Sequence, residues 1–332
     1  METRMLGRLW PVSALTMGGG GIGQVWGETD RLEAVATLRE AVDEGITLID
    51  VAPSYGTGEA ERVVGEAFDG ALPENVRVLT KHHVGHARPT EVEDAMLSGL
   101  DESLQRMRLS FVDVFLLHSQ LIPAADPERH DWTTPVSLFR EAARPALEAL
   151  VDQGRIGAWG ITAAQFPAVL GAVFVETPAP QVTQMVANAL DAPGDMSWSE
   201  SEVGPRSLIK QAKDLGIGVI GIRALAAGAL TDRFDRDLPR DHPAMADYQR
   251  AATFRLMARE SGESPASLAY RYALSIPGID TVSLGVKNRI ELRESLQAAQ
   301  RGPLTDDLTT SIEAQIRSSS AGSREPGLAS DD

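Results

Sequence analysis

The sequence predicts a (β/α)8 barrel, and three observations lead there. Short apolar runs with a β-branched bias alternate with helical stretches, the pattern of a parallel sheet. An eightfold alternation over about 300 residues, in which seven strands are individually legible, has the size of a closed barrel rather than of an open doubly wound sheet. The glycine-rich run Gly18–Gly23 has no helical pattern directly behind it, so it does not read as a dinucleotide fingerprint of the Rossmann type. An N-terminal β-hairpin and an extra C-terminal helix complete the expected fold. Residues 1–318 are expected to form one barrel domain and 319–332 a disordered tail, since Ser, Gly, Ala and acidic residues dominate there without periodicity.

The elements follow in order. Leu6–Arg8 and Val12–Leu15 flank Pro11 as a short hairpin. The four glycines Gly18–Gly21 let a backbone approach a ligand closely. Thr29 and Asp30 can cap a helix from Arg31 to Glu44, with Leu32, Val35, Ala36, Leu38 and Val42 on one face. Gly45 ends it, and a strand over Ile46–Val51 carries Asp50 at its end and Tyr55 in the loop beyond. A helix over Glu59–Phe68 leads to the strand Val76–Lys81. A helix capped at Thr90 runs to Leu109, and the strand Val112–His118 follows. Residues 119–135 read as a loop and Leu138–Gln153 as a helix. The strand Ile156–Thr162 and a helix from Ala164 to Val173 come next. The strand Val182–Asn188, the helix Pro205–Leu215 and the strand Gly218–Arg223 continue the alternation. A loop over 224–243 precedes helices over Tyr248–Ser261 and Ser267–Leu274. The strand Thr281–Gly285 and helices over Arg289–Ala299 and Asp306–Ser318 close the pattern.

Composition excludes several functions. The 332 residues carry a net charge of -16, which disfavours nucleic acid and anionic membranes as partners, since both need a basic face. There is no cysteine, hence no disulfide, thiolate metal site or thiol nucleophile. The start lacks the apolar core of a signal peptide and no apolar run reaches membrane-spanning length, so the cytoplasm is the expected compartment. Oligomeric state is not legible.

Three successive strands end in ionisable groups: Asp50, Lys81 and His118. Barrel strand ends converge on one mouth, and Tyr55 hangs over the same mouth. Singly, Lys81 and Asp50 could be a buried salt bridge and His118 a satisfied core histidine. Together they form a constellation that chance does not readily produce. The adjacent His82 and His83 point to opposite faces of a strand, and no metal-ligand spacing supports them, so no metal is expected.

The residues Gly45-Ile-Thr-Leu-Ile-Asp50-Val-Ala-Pro-Ser-Tyr55-Gly56 with Glu59 and Gly65, Leu79-Thr80-Lys81, and Asp113-Val-Phe-Leu-Leu117-His118 resemble the aldo-keto reductases over nearly the whole chain, from Gly18 to about Leu296. The resemblance implies that Asp50, Tyr55, Lys81 and His118 are a catalytic tetrad. An ordinary tyrosine, pKa about 10, is a poor acid near neutrality. A close Lys81 ammonium is expected to lower that pKa, with Asp50 positioning Lys81, His118 orienting a carbonyl oxygen and Tyr55 delivering the proton. The family's hydride comes from a nicotinamide dinucleotide. NADP(H) is expected by family habit, with NAD(H) the alternative.

The same resemblance implies the cofactor contacts. Thr162 and Gln184 would hold the carboxamide, and Leu225, Ala227 and Gly228 the pyrophosphate. The segment Gly285–Ser295, with Lys287, Arg289 and Glu291, would receive the adenosine phosphate. Ala163 stands where the family has asparagine, Ile222 where it often has an aromatic residue, and Arg223 where it has a small polar one. Arg223 would then reach the pyrophosphate or form a surface ion pair. Trp26 and Trp132, with His83, are candidate contacts for a small carbonyl or sugar substrate. The competing reading is a barrel that binds NADP(H) without turnover, as a redox sensor or accessory subunit.

Overall fold

The structure is a computed structural model; it describes residues 1–321 apart from 127, 129–131, 163–165, 194–203 and 235, and only the backbone of 318–321. Eight parallel strands close into a barrel in chain order. They are β1 (Leu15–Gly18), β2 (Leu48–Asp50), β3 (Arg77–His82), β4 (Val112–Leu117), β5 (Ile156–Thr162), β6 (Val182–Val186), β7 (Gly218–Ile222) and β8 (Thr281–Ser283). The register places Gly18 beside Asp50, Asp50 beside Leu79 and Lys81 beside Leu116.

Side-chain alternation along these strands explains how one barrel holds both a core and a site. Leu48, Leu79, Val114, Leu116, Ala158, Val182 and Ile220 point inward and pack with Leu6 and Val12 into a small interior cluster. Two residues further along the same inward rows lie Asp50, Lys81, His118 and Gln184. The lower half of the barrel is therefore apolar and the upper rim polar. A separate, larger core lies between the strands and the surrounding helices. The floor is closed by the hairpin Thr3–Met5/Pro11–Ser13, whose turn brings Leu6 against Gly218. A Cβ on Gly218 would come within 2.8 Å of Leu6.

Several boundaries differ from those expected. The hairpin strand stops at Ser13, and Leu15–Gly18 is instead the first barrel strand. The glycines behind it form one buried helical turn, Gly19–Ile22. Asp30 caps the helix Arg31–Asp43 as expected, accepting from the Glu33 amide. The next long helix begins at Pro89, with Glu91 reaching back to the Arg88 amide, so Thr90 is not its cap. The stretch 119–135 contains two short paired strands, Gln120–Ile122 and Thr133–Pro135. A π-helical segment, Phe139–Ala143, interrupts the helix behind them. The segment over 243–260 is two helices, Pro243–Arg250 and Ala252–Glu260. The helix expected from Ala164 runs over Pro167–Phe174, and Ala163 itself is outside the described residues. The last helix, Asp306–Ala321, enters the expected tail, of which 322–332 are outside the described residues.

Candidate active site

The β2, β3 and β4 ends bring Asp50, Lys81 and His118 to the mouth, and the loop after β2 returns Tyr55 to them. Lys81 is fully buried and Asp50 is 3% exposed, so neither charge is stable there without partners. The Lys81 ammonium bonds to Asp50 Oδ1, to the Val51 carbonyl at 3.0 Å and to the Tyr55 hydroxyl at 3.1 Å. Those three bonds use its three donors. An ammonium cannot accept, so the Tyr55 oxygen is the acceptor and its own proton is left to point elsewhere. The His118 ring stands edge-on to Tyr55, with centroids 5.9 Å apart.

The other carboxylate oxygen of Asp50 is also engaged. Gln184 Nε2 donates to Oδ2 at 2.8 Å and Ser283 Oγ at 3.0 Å. Thr162 Oγ1 donates to Gln184 Oε1 at 3.2 Å, which fixes the amide with its NH2 toward Asp50. A continuous polar chain therefore links Thr162, Gln184, Asp50, Lys81 and Tyr55.

Lys81 pulls the Tyr55 pKa down, the direction expected of it, but the net shift is upward. Burial pushes the phenol up by more than Lys81 pulls it down, and Asp50 adds to the rise. Burial opposes the Lys81 charge, yet Asp50 and Tyr55 hold its pKa above the usual lysine value. Burial, then Lys81, His83 and His82, depress His118 well below the ordinary histidine range. His118 is thus a neutral imidazole at neutral pH, able to donate one N–H to an oxygen. Neutral phenol and neutral imidazole side by side suit proton delivery to, and polarisation of, a carbonyl.

A cavity of about 760 Å³ opens over these groups. Thr162, Gln184, Ile222, Arg223, Leu225, Ala227, Gly228, Gly285, Lys287, Glu291 and Ser295 all line it, as do Trp26 and Trp132. Arg289 does not: it turns outward onto Glu33 at 2.8 Å. His83 is exposed and stacks on Trp132, centroids 5.0 Å apart, but is not itself among the lining residues. Lys287 is tied to Glu291, Nζ to Oε1 at 2.7 Å and backbone N to Oε2 at 2.9 Å. Arg223 and Arg236 both lie over the Trp26 ring, with their guanidinium carbons 5.7 and 5.3 Å from its centroid. Among the described residues no group of three or more His, Cys, Asp or Glu is arranged to hold a metal ion.

Sequence reasoning left Ser283, Arg233, Arg236 and Asn188 among the residues without a role here. Ser283 ends a barrel strand, but it is not ionisable, and Thr281 two places earlier is not apolar, so the rule that singled out Asp50, Lys81 and His118 does not reach it. Arg233 and Arg236 line the cavity from the loop after β7, where no pattern marks them. Asn188 is fully buried and uses both side-chain ends. Its amide donates to the Arg223 carbonyl at 3.0 Å, and its oxygen accepts from the Leu190 amide at 3.0 Å. Arg223 sits at φ 57°, the left-handed region that a non-glycine residue occupies only when held there.

Fold and mouth together define a (β/α)8-barrel protein with an ionisable cluster at its strand ends. The family model described as the aldo/keto reductase family matches residues 14–317, and the chain belongs to that family of oxidoreductases. It is 28% identical over 291 residues to an aldo-keto reductase of Bacillus subtilis, covering 80% of this chain and 78% of the relative. It is 26% identical over 302 residues to the L-galactose dehydrogenase of Arabidopsis thaliana, covering 90% and 88%. A probable voltage-gated potassium channel subunit beta of Oryza sativa subsp. japonica is 28% identical over 320 residues, covering 88% and 89%. Among solved structures, the fold is similar to the glycerol dehydrogenase of Gluconobacter oxydans, with TM-score 0.71, 23% identity and 99% of each chain covered. It is also similar to an aldo/keto reductase of Klebsiella pneumoniae in complex with NADP and acetate, with TM-score 0.68, 22% identity and 95% of each chain covered.

Proposed function

We propose that the protein reduces aldehydes or ketones to alcohols, or oxidises alcohols or sugars in reverse, with a nicotinamide dinucleotide. The observation that carries this reading is the Lys81 ammonium, whose three donors are used on Asp50, Val51 and Tyr55, leaving the Tyr55 proton available beside His118. In this reading Tyr55 is the general acid, and the base in the oxidative direction. Lys81 counters the burial that makes the phenol reluctant to ionise, and Asp50 holds Lys81. His118 donates its N–H to the carbonyl oxygen and orients it. The apolar barrel below the rim excludes water from this cluster.

The cavity fits a dinucleotide by its donor set. An amide and a hydroxyl, Gln184 and Thr162, stand at the inner end, and Arg223, Arg233, Arg236 and Lys287 bring cations to the wall. When bound, the dinucleotide supplies the hydride, which no side chain can. Thr162 and Gln184 would hold its carboxamide, Ile222 would lie against its nicotinamide ring, Arg223 with Leu225, Ala227 and Gly228 would hold its middle, and Lys287, Glu291 and Ser295 its adenosine end. NADP(H) remains the first expectation and NAD(H) the second. Arg233 supports the former by bringing a further cation to the cavity wall. Trp26 and Trp132 would contact the substrate.

A cysteine-free, acidic chain fits the reducing cytoplasm, and no helix among the described residues is long and apolar enough to cross a membrane. The likeness to a channel beta subunit favours one second reading, a barrel that holds the dinucleotide without turnover. A panel of aldehydes, ketones and sugars, assayed with NADPH and with NADH, separates the two. Turnover of any member supports the oxidoreductase, and dinucleotide binding with no turnover supports the accessory subunit.

A further inference from the structure

Asp50 sits on β2 and Ser283 on β8, with β1 between them. Neighbouring strands lie about 4.8 Å apart, so residues separated by a whole strand do not normally meet. These two meet at 3.0 Å because the residue between them is Gly18, the register neighbour of Asp50. A Cβ on Gly18 would lie 2.7 Å from Ser283 Oγ and 2.0 Å from the Leu284 carbonyl oxygen. The bare backbone of Gly18 is what lets the hydroxyl reach across. On the same carboxylate oxygen Gln184 donates from the other side of the barrel, oriented by Thr162.

We propose that Ser283 is a positioning residue for the reaction: its hydroxyl holds Asp50 and tempers the carboxylate's charge, and through Asp50 and Lys81 it sets the acidity of Tyr55. This rests on the reductase reading above. The chain of effects is electrostatic. A hydrogen bond to a carboxylate draws off part of its charge, and the Asp50 charge keeps the proton on Tyr55. Without the Ser283 hydroxyl, Asp50 acts on Lys81 and Tyr55 with less of its charge compensated. Tyr55 then holds its proton to higher pH. Ser283 is half-buried at the cavity wall, so removing its oxygen leaves no large void in the core.

The test is Ser283→Ala, alone and in an Asp50→Asn background, read by the pH profile of kcat for carbonyl reduction. Alone, it should move the alkaline limb, where the general acid loses its proton, upward by roughly half a pH unit or more, the scale of one lost bond to a charged group. In the Asp50→Asn background it should move nothing, since the charge it tempers is gone. Direct titration of Tyr55, taken as the difference in tyrosinate absorbance between each protein and its Tyr55→Phe counterpart, should show the same upward shift without needing turnover. An unmoved limb and an unmoved titration in Ser283→Ala would overturn the proposal, as would an equal shift in the Asp50→Asn background. A wild-type protein that binds NADPH but never turns over would refute the reductase reading, while the titration would still decide whether Ser283 acts on Tyr55.

Discussion

The Lys81 ammonium lies 3.1 Å from the Tyr55 hydroxyl and shares its other two protons between Asp50 and the Val51 carbonyl. That single contact carries most of the proposed chemistry, because it decides which way the Tyr55 proton points and how strongly the phenol holds it. Lys81→Met should therefore leave almost no carbonyl reduction, and its residual activity should lose the wild-type pH dependence. Asp50→Asn should be damaged less, since it acts through Lys81. A pH–rate profile in Lys81→Met that superimposes on wild type would contradict this ordering.

The histidines at the ends of β3 and β4 should make the fold acid-sensitive. Burial, reinforced by His83, lowers His82 from 6.5 to about 4. His118 is depressed in the same direction. A folded-state pKa below the unfolded value means that the unfolded chain takes up the proton first. The resulting stability is present above 6.5 and is lost as pH falls toward about 4. The melting temperature should fall across that window, and His82→Gln should flatten the fall. A melting temperature that is constant across the window in wild type would contradict the assignment.

The glycine run behind β1 is a packing requirement as well as a cavity wall. A Cβ on Gly21 would lie 2.0 Å from the Val286 carbonyl oxygen and 2.3 Å from its carbon, both backbone atoms that cannot swing aside. Gly21→Ala should cost about 1–3 kcal/mol, the usual cost of overpacking. Urea denaturation measures it, and an unchanged midpoint would show that the turn Gly19–Ile22 yields more easily than its contacts imply.

Dinucleotide preference should turn on Lys287 and Glu291. The carboxylate holds both the ammonium and the amide of Lys287. Glu291→Gln should free that cation and lower the KM for NADPH by roughly 3- to 10-fold, the scale of one charge-assisted contact to a phosphate, while that for NADH changes little. Lys287→Ala should raise the KM for NADPH far more than that for NADH. Equal effects on both would mean that Lys287 does not face the 2′-phosphate and would make NAD(H) the first choice.

The sequence made the barrel and the inward row of Asp50, Lys81 and His118 legible for one reason. Strand ends obey a period of two, so an apolar residue two places earlier predicts the direction of the polar one. Leu48 announces Asp50, Leu79 announces Lys81 and Leu116 announces His118. What lay beyond that rule was not visible. Leu15–Gly18 is a strand whose last residue is a glycine, and its neighbours suggested a loop. The paired segments around Trp132 lack any strand pattern. Arg289 and Lys287 are equally plausible phosphate ligands in sequence, and only their carboxylate partners, Glu33 and Glu291, separate them. The sign of the Tyr55 shift depends on burial, which a motif does not carry.

The most direct test of the account is steady-state oxidation of NADPH with a generic aldehyde, 4-nitrobenzaldehyde, by wild type and by Tyr55→Phe, alongside dinucleotide affinity for both. Wild type should turn over, and Tyr55→Phe should bind the dinucleotide about as well and turn over not at all. Near-normal reduction by Tyr55→Phe, or a wild type that binds NADPH and reduces nothing, would contradict the central claim that the Tyr55 proton drives the reaction.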